Sequence, residues 1–159
     1  MSETIENPAT YAPHEMGLRD NVGSLIFQAR LVMTANIDQE FAEDPHLAGL
    51  DVTAAQFGIL AYVLKRNVNS ACELCHQMDY DRGAMSRMID RLEAKGLIRR
   101  VPLAHTRRGV ALEVTEEGKA AFPKLQAGVA RVLNRLLRGV SKAQVREAEN
   151  VLKRMLANA

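Results

Sequence analysis

The chain has 159 residues, 47% of them hydrophobic, and a formal net charge of only +2, enough for one packed domain with an added helical layer and not an overall polycation. Aromatic residues make up 4% and Trp is absent, so aliphatic side chains and Met must fill the core, which favours helices over an all-β sandwich. An acidic, polar amino-terminal stretch, the lack of any apolar run of about 18 residues and two closely spaced Cys argue against a secretory signal, a membrane span and a disulfide framework, so a cytoplasmic protein is expected.

Residues 1–17 contain Pro8 and Pro13 and little periodicity, and read as a flexible arm. From Leu18 the apolar set Leu18, Val22, Leu25, Ala29, Val32, Met33, Ile37 and Phe41 keeps a helical period that ends at Glu43-Asp44-Pro45-His46. Thr53-x-x-Gln56 reads as a capping box before Phe57, Leu60, Val63 and Leu64, and Ser70-x-x-Glu73 as a second one opening a short helix to about Met78. Asp79-Tyr80-Asp81 forms a turn with Asp81 as N-cap. The next helix lines up Met85, Met88, Ile89 and Leu92 and stops at Lys95-Gly96.

The period then changes from 3.6 to 2. Residues 97–101 and 110–114 are expected strands joined by the loop 102–109. Thr115 opens a long helix carrying Phe122, Leu125, Val129, Leu133 and Leu136. Pro123 lacks the amide that would bond to residue 119 and is a candidate kink. Ser141-x-x-Gln144 caps a last helix with Val145, Ala148, Leu152 and Met155. Two short helices joined by a tight turn and followed by a basic hairpin describe a mainly α winged helix-turn-helix, α+β only through its small wing.

Charge is distributed unevenly. Residues 1–50 carry 2 basic and 8 acidic side chains, and residues 119–159 carry 9 basic and 2 acidic. Between Arg82 and Arg108, 8 basic residues face only Asp90 and Glu93, which suggests a confined anionic partner. With Met85, Met88, Ile89 and Leu92 turned to the core, Arg82, Gly83, Ser86 and Arg87 fall on the other side near the helix start, where a recognition helix meets base edges. Gly83 and Ala84 are small enough for close approach, and Arg107 and Arg108 on the hairpin suit phosphates or a narrow minor groove.

The stretch from Met78 to Arg100 resembles the MarR (multiple antibiotic resistance regulator) family. The resemblance rests on Ser86-Arg87, Asp90, Leu92, Gly96-Leu97-Ile98 and Arg100, then Arg107-Arg108, then Val114-Thr115 and Gly118, with Val52-Thr53-x-x-Gln56-Phe57-x-x-Leu60 upstream. It extends over roughly residues 18–156. One departure stands out: the Asp usual before the paired wing arginines is Thr106 here, preceded by His105, which removes a carboxylate that would help hold the wing.

The resemblance implies a non-enzymatic regulator that binds double-stranded DNA as a homodimer, with 51–115 as the DNA-binding domain and 18–50 with 116–159 as a helical dimerisation region. DNA contacts are expected at Arg82, Gly83, Ala84, Ser86, Arg87, His105, Arg107 and Arg108. It further implies a repressor of a pseudo-palindromic operator, released by a small aromatic acid or phenol, for which Arg19, one of two basic residues among the first fifty, is the leading contact, with His14 and Phe57 behind it. Within the dimerisation layer, Arg131, Arg135 and Arg138 share one helix face and would attract Glu40, Glu43 and Asp44.

No metal or cofactor is expected, because His14, His46, His76 and His105 are dispersed and no catalytic motif is present. Cys72-Glu-Leu-Cys75-His76 matches a c-type haem attachment pattern, but it lies inside the short capped helix of a chain without an export signal. The alternative it leaves is a thiol-redox-responsive regulator using Cys72 and Cys75.

Overall fold

The computed structural model describes residues 10–13, 17, 20–103 and 109–159. In chain order these form α1 (Val22–Glu43), a 3-10 turn at Ala48–Leu50, α2 (Ala54–Arg66), α3 (Ala71–Met78), α4 (Arg82–Ala94), β1 (Ile98–Pro102), β2 (Val110–Val114), α5 (Glu116–Leu136) and α6 (Lys142–Ala157). Each helix starts where a short polar side chain can accept from an amide that has no partner inside the helix. Asn21, Thr53, Ser70, Asp81, Thr115 and Ser141 do this for the six helices in turn.

The cap at Asn21 starts α1 at Val22 rather than at the expected Leu18. Thr53 with Gln56 closes the expected capping box. Ser70 with Glu73 closes only half of one, since the Glu73 carboxylate accepts from the Ser70 hydroxyl at 3.0 Å.

Helix α4 ends as the Lys95-Gly96 pair predicted. Gly96 takes a φ of +69°, its amide bonds to the Glu93 carbonyl at 2.9 Å, and the Leu97 amide reaches back to Leu92 at 3.0 Å. This closure assigns Leu97 to the helix cap, so β1 begins one residue later than expected and pairs Ile98 with Val114 in an antiparallel register.

Met85, Ile89 and Leu92 are completely or almost completely buried, as are Ile59 and Leu60 of α2, Leu74 of α3 and Leu125 of α5. Together they form one core under the hairpin and the amino-terminal half of α5. The start of α5 sits tightly on the hairpin. A Cβ added at Gly118 would press on the Leu97 carbonyl oxygen and lie 2.6 Å from Val114 Cγ1. Helix α5 continues through Pro123 without interruption.

The two outer helices differ from the sequence expectation. In α1 only Ile37 and Phe41 are buried, while Leu25, Phe27, Leu31 and Val32 of the preceding turns are about half exposed. Helix α6 buries none of its side chains, and the end of α5 leaves Leu133, Leu136 and Leu137 exposed. The periodic apolar faces are therefore present, but a single chain does not cover them.

What joins α1 to α5 is electrostatic as well as apolar. The Arg131 guanidinium lies 2.6 Å from Glu40 and also bonds Asp44, and Arg135 lies 3.2 Å from Glu40. Acidic and basic thirds of the sequence thus meet inside one chain. Glu43 instead accepts from Gln39. The hydrogen bond from Arg131, assisted by Arg135 and opposed by partial burial, holds the Glu40 carboxyl below its ordinary value.

Two outcomes follow. Gly118→Ala should destabilise the protein by about 1–3 kcal/mol through overpacking, read as a lower urea midpoint at an unchanged slope. Glu40→Gln should lower the thermal midpoint at neutral pH by about 2–4 °C. Because the folded Glu40 value is depressed, that advantage of the natural residue is full above the ordinary carboxylate range and disappears as pH falls through the depressed value. Thermal scans of both proteins across the acid range should therefore converge.

Candidate nucleic-acid interface

The α3–α4 turn is built to change direction sharply. Asp79 ends α3 in a left-handed conformation (φ 54°), and Asp81 starts α4 by accepting from the Ala84 amide at 2.8 Å. With Met85, Ile89 and Leu92 fixed in the core, the opposite side of α4 faces outward. Arg82, Gly83, Ser86 and Arg87 are exposed there and Ala84 is half-buried. A Cβ at position 83 would lie 3.2 Å from the capping oxygen Asp81 Oδ1 and in ordinary contact, at 3.4 Å, with an Arg87 guanidinium nitrogen.

The hairpin is tied to this helix-turn-helix at both ends of the unit. The Leu112 amide donates to the Asn69 carbonyl at 2.7 Å, joining β2 to the residue before the α3 cap. The Arg100 guanidinium of β1 lies 2.6 Å from Asp90 of α4 and also bonds Glu93, whose carboxylate accepts from the Arg100 amide at 3.1 Å. The Asp90 hydrogen bond, opposed by partial burial and assisted by Glu93, pushes the Arg100 guanidinium up from its ordinary value. Across the hairpin Arg99 pairs with Glu113 at 2.7 Å, and Lys95 pairs with Asp51 at 3.0 Å.

These pairs sort the basic cluster by chemistry. Lys95, Arg99 and Arg100 hold the unit together. Among the described residues Arg82, Arg87 and Arg91 have no ion-pair partner, and all three are exposed on α4. Arg91, one turn beyond Arg87, is a further cation on this side of α4, which spacing alone would pair equally well with Asp90 or Glu93. His105, Thr106, Arg107 and Arg108 of the wing lie outside the described residues, as do His14 and Arg19.

Phe57 is half-buried in an aromatic group at the junction of α1, α2 and α5. Its ring stacks on Phe122 with centroids 5.3 Å apart and meets the edge of Phe41 at 6.0 Å. The Lys65 ammonium stands 5.5 Å from the Phe122 centroid. Among the described residues no helix is long and apolar enough to cross a membrane.

A tether of this kind has a measurable consequence. Arg100→Ala should loosen the hairpin against α4, and backbone amides of β1 and β2 should exchange with solvent faster by about threefold, with α2 and α5 unchanged. Hydrogen exchange followed by mass spectrometry reads this directly.

Comparison with known proteins identifies relatives over almost the whole chain. A MarR family model matches residues 50–109. The multiple antibiotic resistance protein MarR of Escherichia coli (strain K12) is 30% identical over 138 residues, covering 86% of this chain and 96% of that protein. The HTH-type transcriptional repressor MdtR of Bacillus subtilis (strain 168) is 31% identical over 100 residues, covering 63% of this chain and 64% of that protein. The crystal structure of wild-type apo MarR from E. coli superposes with a TM-score of 0.72 at 28% identity, over 86% of this chain and 97% of that one.

Proposed function

The chain belongs to the MarR family and is a transcription regulator rather than an enzyme, and from that premise we propose that it is a repressor acting as a homodimer on a pseudo-palindromic operator. The observation that carries the DNA reading is the outward row of Arg82, Ser86, Arg87 and Arg91 on a helix whose other side is anchored in the core. Arg87 and Arg82, nearest the helix start, are assigned to base edges, guanine above all, and Gly83 and Ala84 to close backbone approach. Arg91 is assigned to a phosphate, and His105, Arg107 and Arg108 to the flanking backbone or minor groove.

Residues 51–115 form the DNA-binding unit in this reading, and 18–50 with 116–159 form the dimer layer. Its support is the exposed apolar surface of Leu25, Phe27, Leu31 and Val32 on α1 and of Leu152, Met155 and Leu156 on α6. A 16-residue helix that buries nothing in its own chain is marginal in water and gains stability from a partner. A two-fold axis would set the two α4 helices about 34–36 Å apart, one turn of duplex.

A small aromatic acid or phenol is proposed as the releasing ligand. Phe57, Phe122 and Lys65 combine ring faces with a positive charge where dimer-layer helices meet α2, a pairing that suits an aromatic carboxylate. Arg19 and His14 remain assigned as further contacts.

The test selects a duplex from a random pool with the natural protein and compares variants on it. Arg87→Ala should weaken binding by about ten- to a hundredfold with an unchanged melting temperature. Equal affinity of natural and Arg87→Ala protein for the selected duplex would remove α4 from the interface.

A further inference from the structure

A cleft of about 380 Å³ opens between α3, α4 and the hairpin, with Ile89, Val110 and Leu112 among its apolar lining. Both cysteines of the chain, Cys72 and Cys75, line it, together with Arg82, Ser86 and Arg100. We infer that Cys72 and Cys75 form a dithiol site that exchanges with a low-molecular-weight, anionic disulfide and closes into an intrachain Cys72–Cys75 bond beside the recognition helix. The consequence for DNA rests on the proposed function, but the thiol chemistry does not.

Geometry supports the pair as a unit. Positions three apart on a helix have Cα atoms about 5 Å apart, within the range of about 4.4–6.8 Å that a disulfide bridges. Both side chains face the same cleft, which equivalent spacing on separate elements would not ensure. Cys72 is exposed and Cys75 half-buried, which sets the order of events. A metal is the less suitable occupant, since among the described residues no group of three or more His, Cys, Asp or Glu side chains could hold one. The anionic class follows from Arg82, which lines the cleft and has no ion-pair partner among the described residues, so its charge draws a carboxylate-bearing reagent.

The chemistry balances in two exchanges. The Cys72 thiolate attacks one sulfur of the small disulfide, forming a mixed disulfide and releasing one small thiolate. The Cys75 thiolate then attacks Cys72 Sγ, forming the Cys72–Cys75 bond and releasing the second small thiolate. Two protein thiols are oxidised, one external disulfide is reduced to two thiols, and the two protein protons pass to the released thiolates through solvent. The new bond spans the first turn of α3. The preceding Asn69 carbonyl holds the Leu112 amide of β2 at 2.7 Å, and Arg82 and Ser86 of α4 stand across the cleft. Closing the ring therefore acts on the recognition helix and the wing together.

The experiment treats the full reduced protein with oxidised glutathione and reads intact mass, a peptide map and affinity for the selected duplex. The natural protein is expected to lose two hydrogens within one chain, with both cysteines in one cross-linked peptide. Its DNA affinity should fall by about fivefold or more and recover with excess dithiothreitol. Cys75→Ser should stop at a glutathione adduct on Cys72, and Cys72→Ser should stay unmodified over the same period. A disulfide between two chains, a persistent adduct on the natural protein, reaction of Cys72→Ser at the natural rate, or unchanged affinity of the fully closed form would each overturn the proposal. Mass is read without DNA, so a reduced protein that bound no duplex would count against the DNA reading and leave the exchange chemistry to stand or fall by its own result.

Discussion

The burial of Met85, Ile89 and Leu92 governs the rest of the structure. These three side chains sit on one face of a 13-residue helix and are almost entirely withdrawn from solvent. Once they are fixed, the azimuth of every other α4 residue is fixed too, and Arg82, Ser86, Arg87 and Arg91 have nowhere to go but outward. The apolar contacts that stabilise the domain are therefore the same contacts that aim its cations. Arg100 adds a second constraint by bonding Asp90 and Glu93 on the flank of α4, which links the hairpin to the helix.

Electrostatics divide into two kinds of work. Some charges are satisfied within the chain: Arg131 and Arg135 on Glu40 and Asp44, Lys95 on Asp51, Arg99 on Glu113. Such exposed or half-exposed pairs contribute modestly to stability but fix which surfaces stay neutral. The remaining exposed arginines of α4 supply the field a polyanion would meet, and they are concentrated on one helix. The net charge of +2 conceals this division entirely.

Much of this architecture was legible in the residues. The N-caps Thr53, Ser70, Asp81, Thr115 and Ser141, the left-handed Gly96 and the change of period after it set element order and most boundaries. The motifs also carried the family, because Gly96, Leu97, Thr115 and Gly118 turn out to meet at one joint, where the hairpin leaves α4 and enters α5. Other features depended on partners that spacing cannot name. Leu47 and Leu74 are core residues without a periodic run around them, and Leu97 reads as strand until its amide is seen closing the α4 cap. The Arg131 face and its acidic partners Glu40 and Asp44 were recognisable, but only the fold places these pairs within the same chain and leaves Glu43 to Gln39. Periodicity also promised buried faces on α1 and α6, where one chain leaves Leu25, Val32, Leu152 and Met155 exposed.

In the proposed assembly two chains joined through those uncovered helices present a pair of α4 helices to one duplex. Sedimentation of the protein with a selected duplex, repeated over a range of salt, tests it most directly. The account predicts two chains per duplex and an association constant that falls steeply and linearly on logarithmic axes as salt rises. A monomer free in solution and on DNA, or an affinity indifferent to salt, would contradict it.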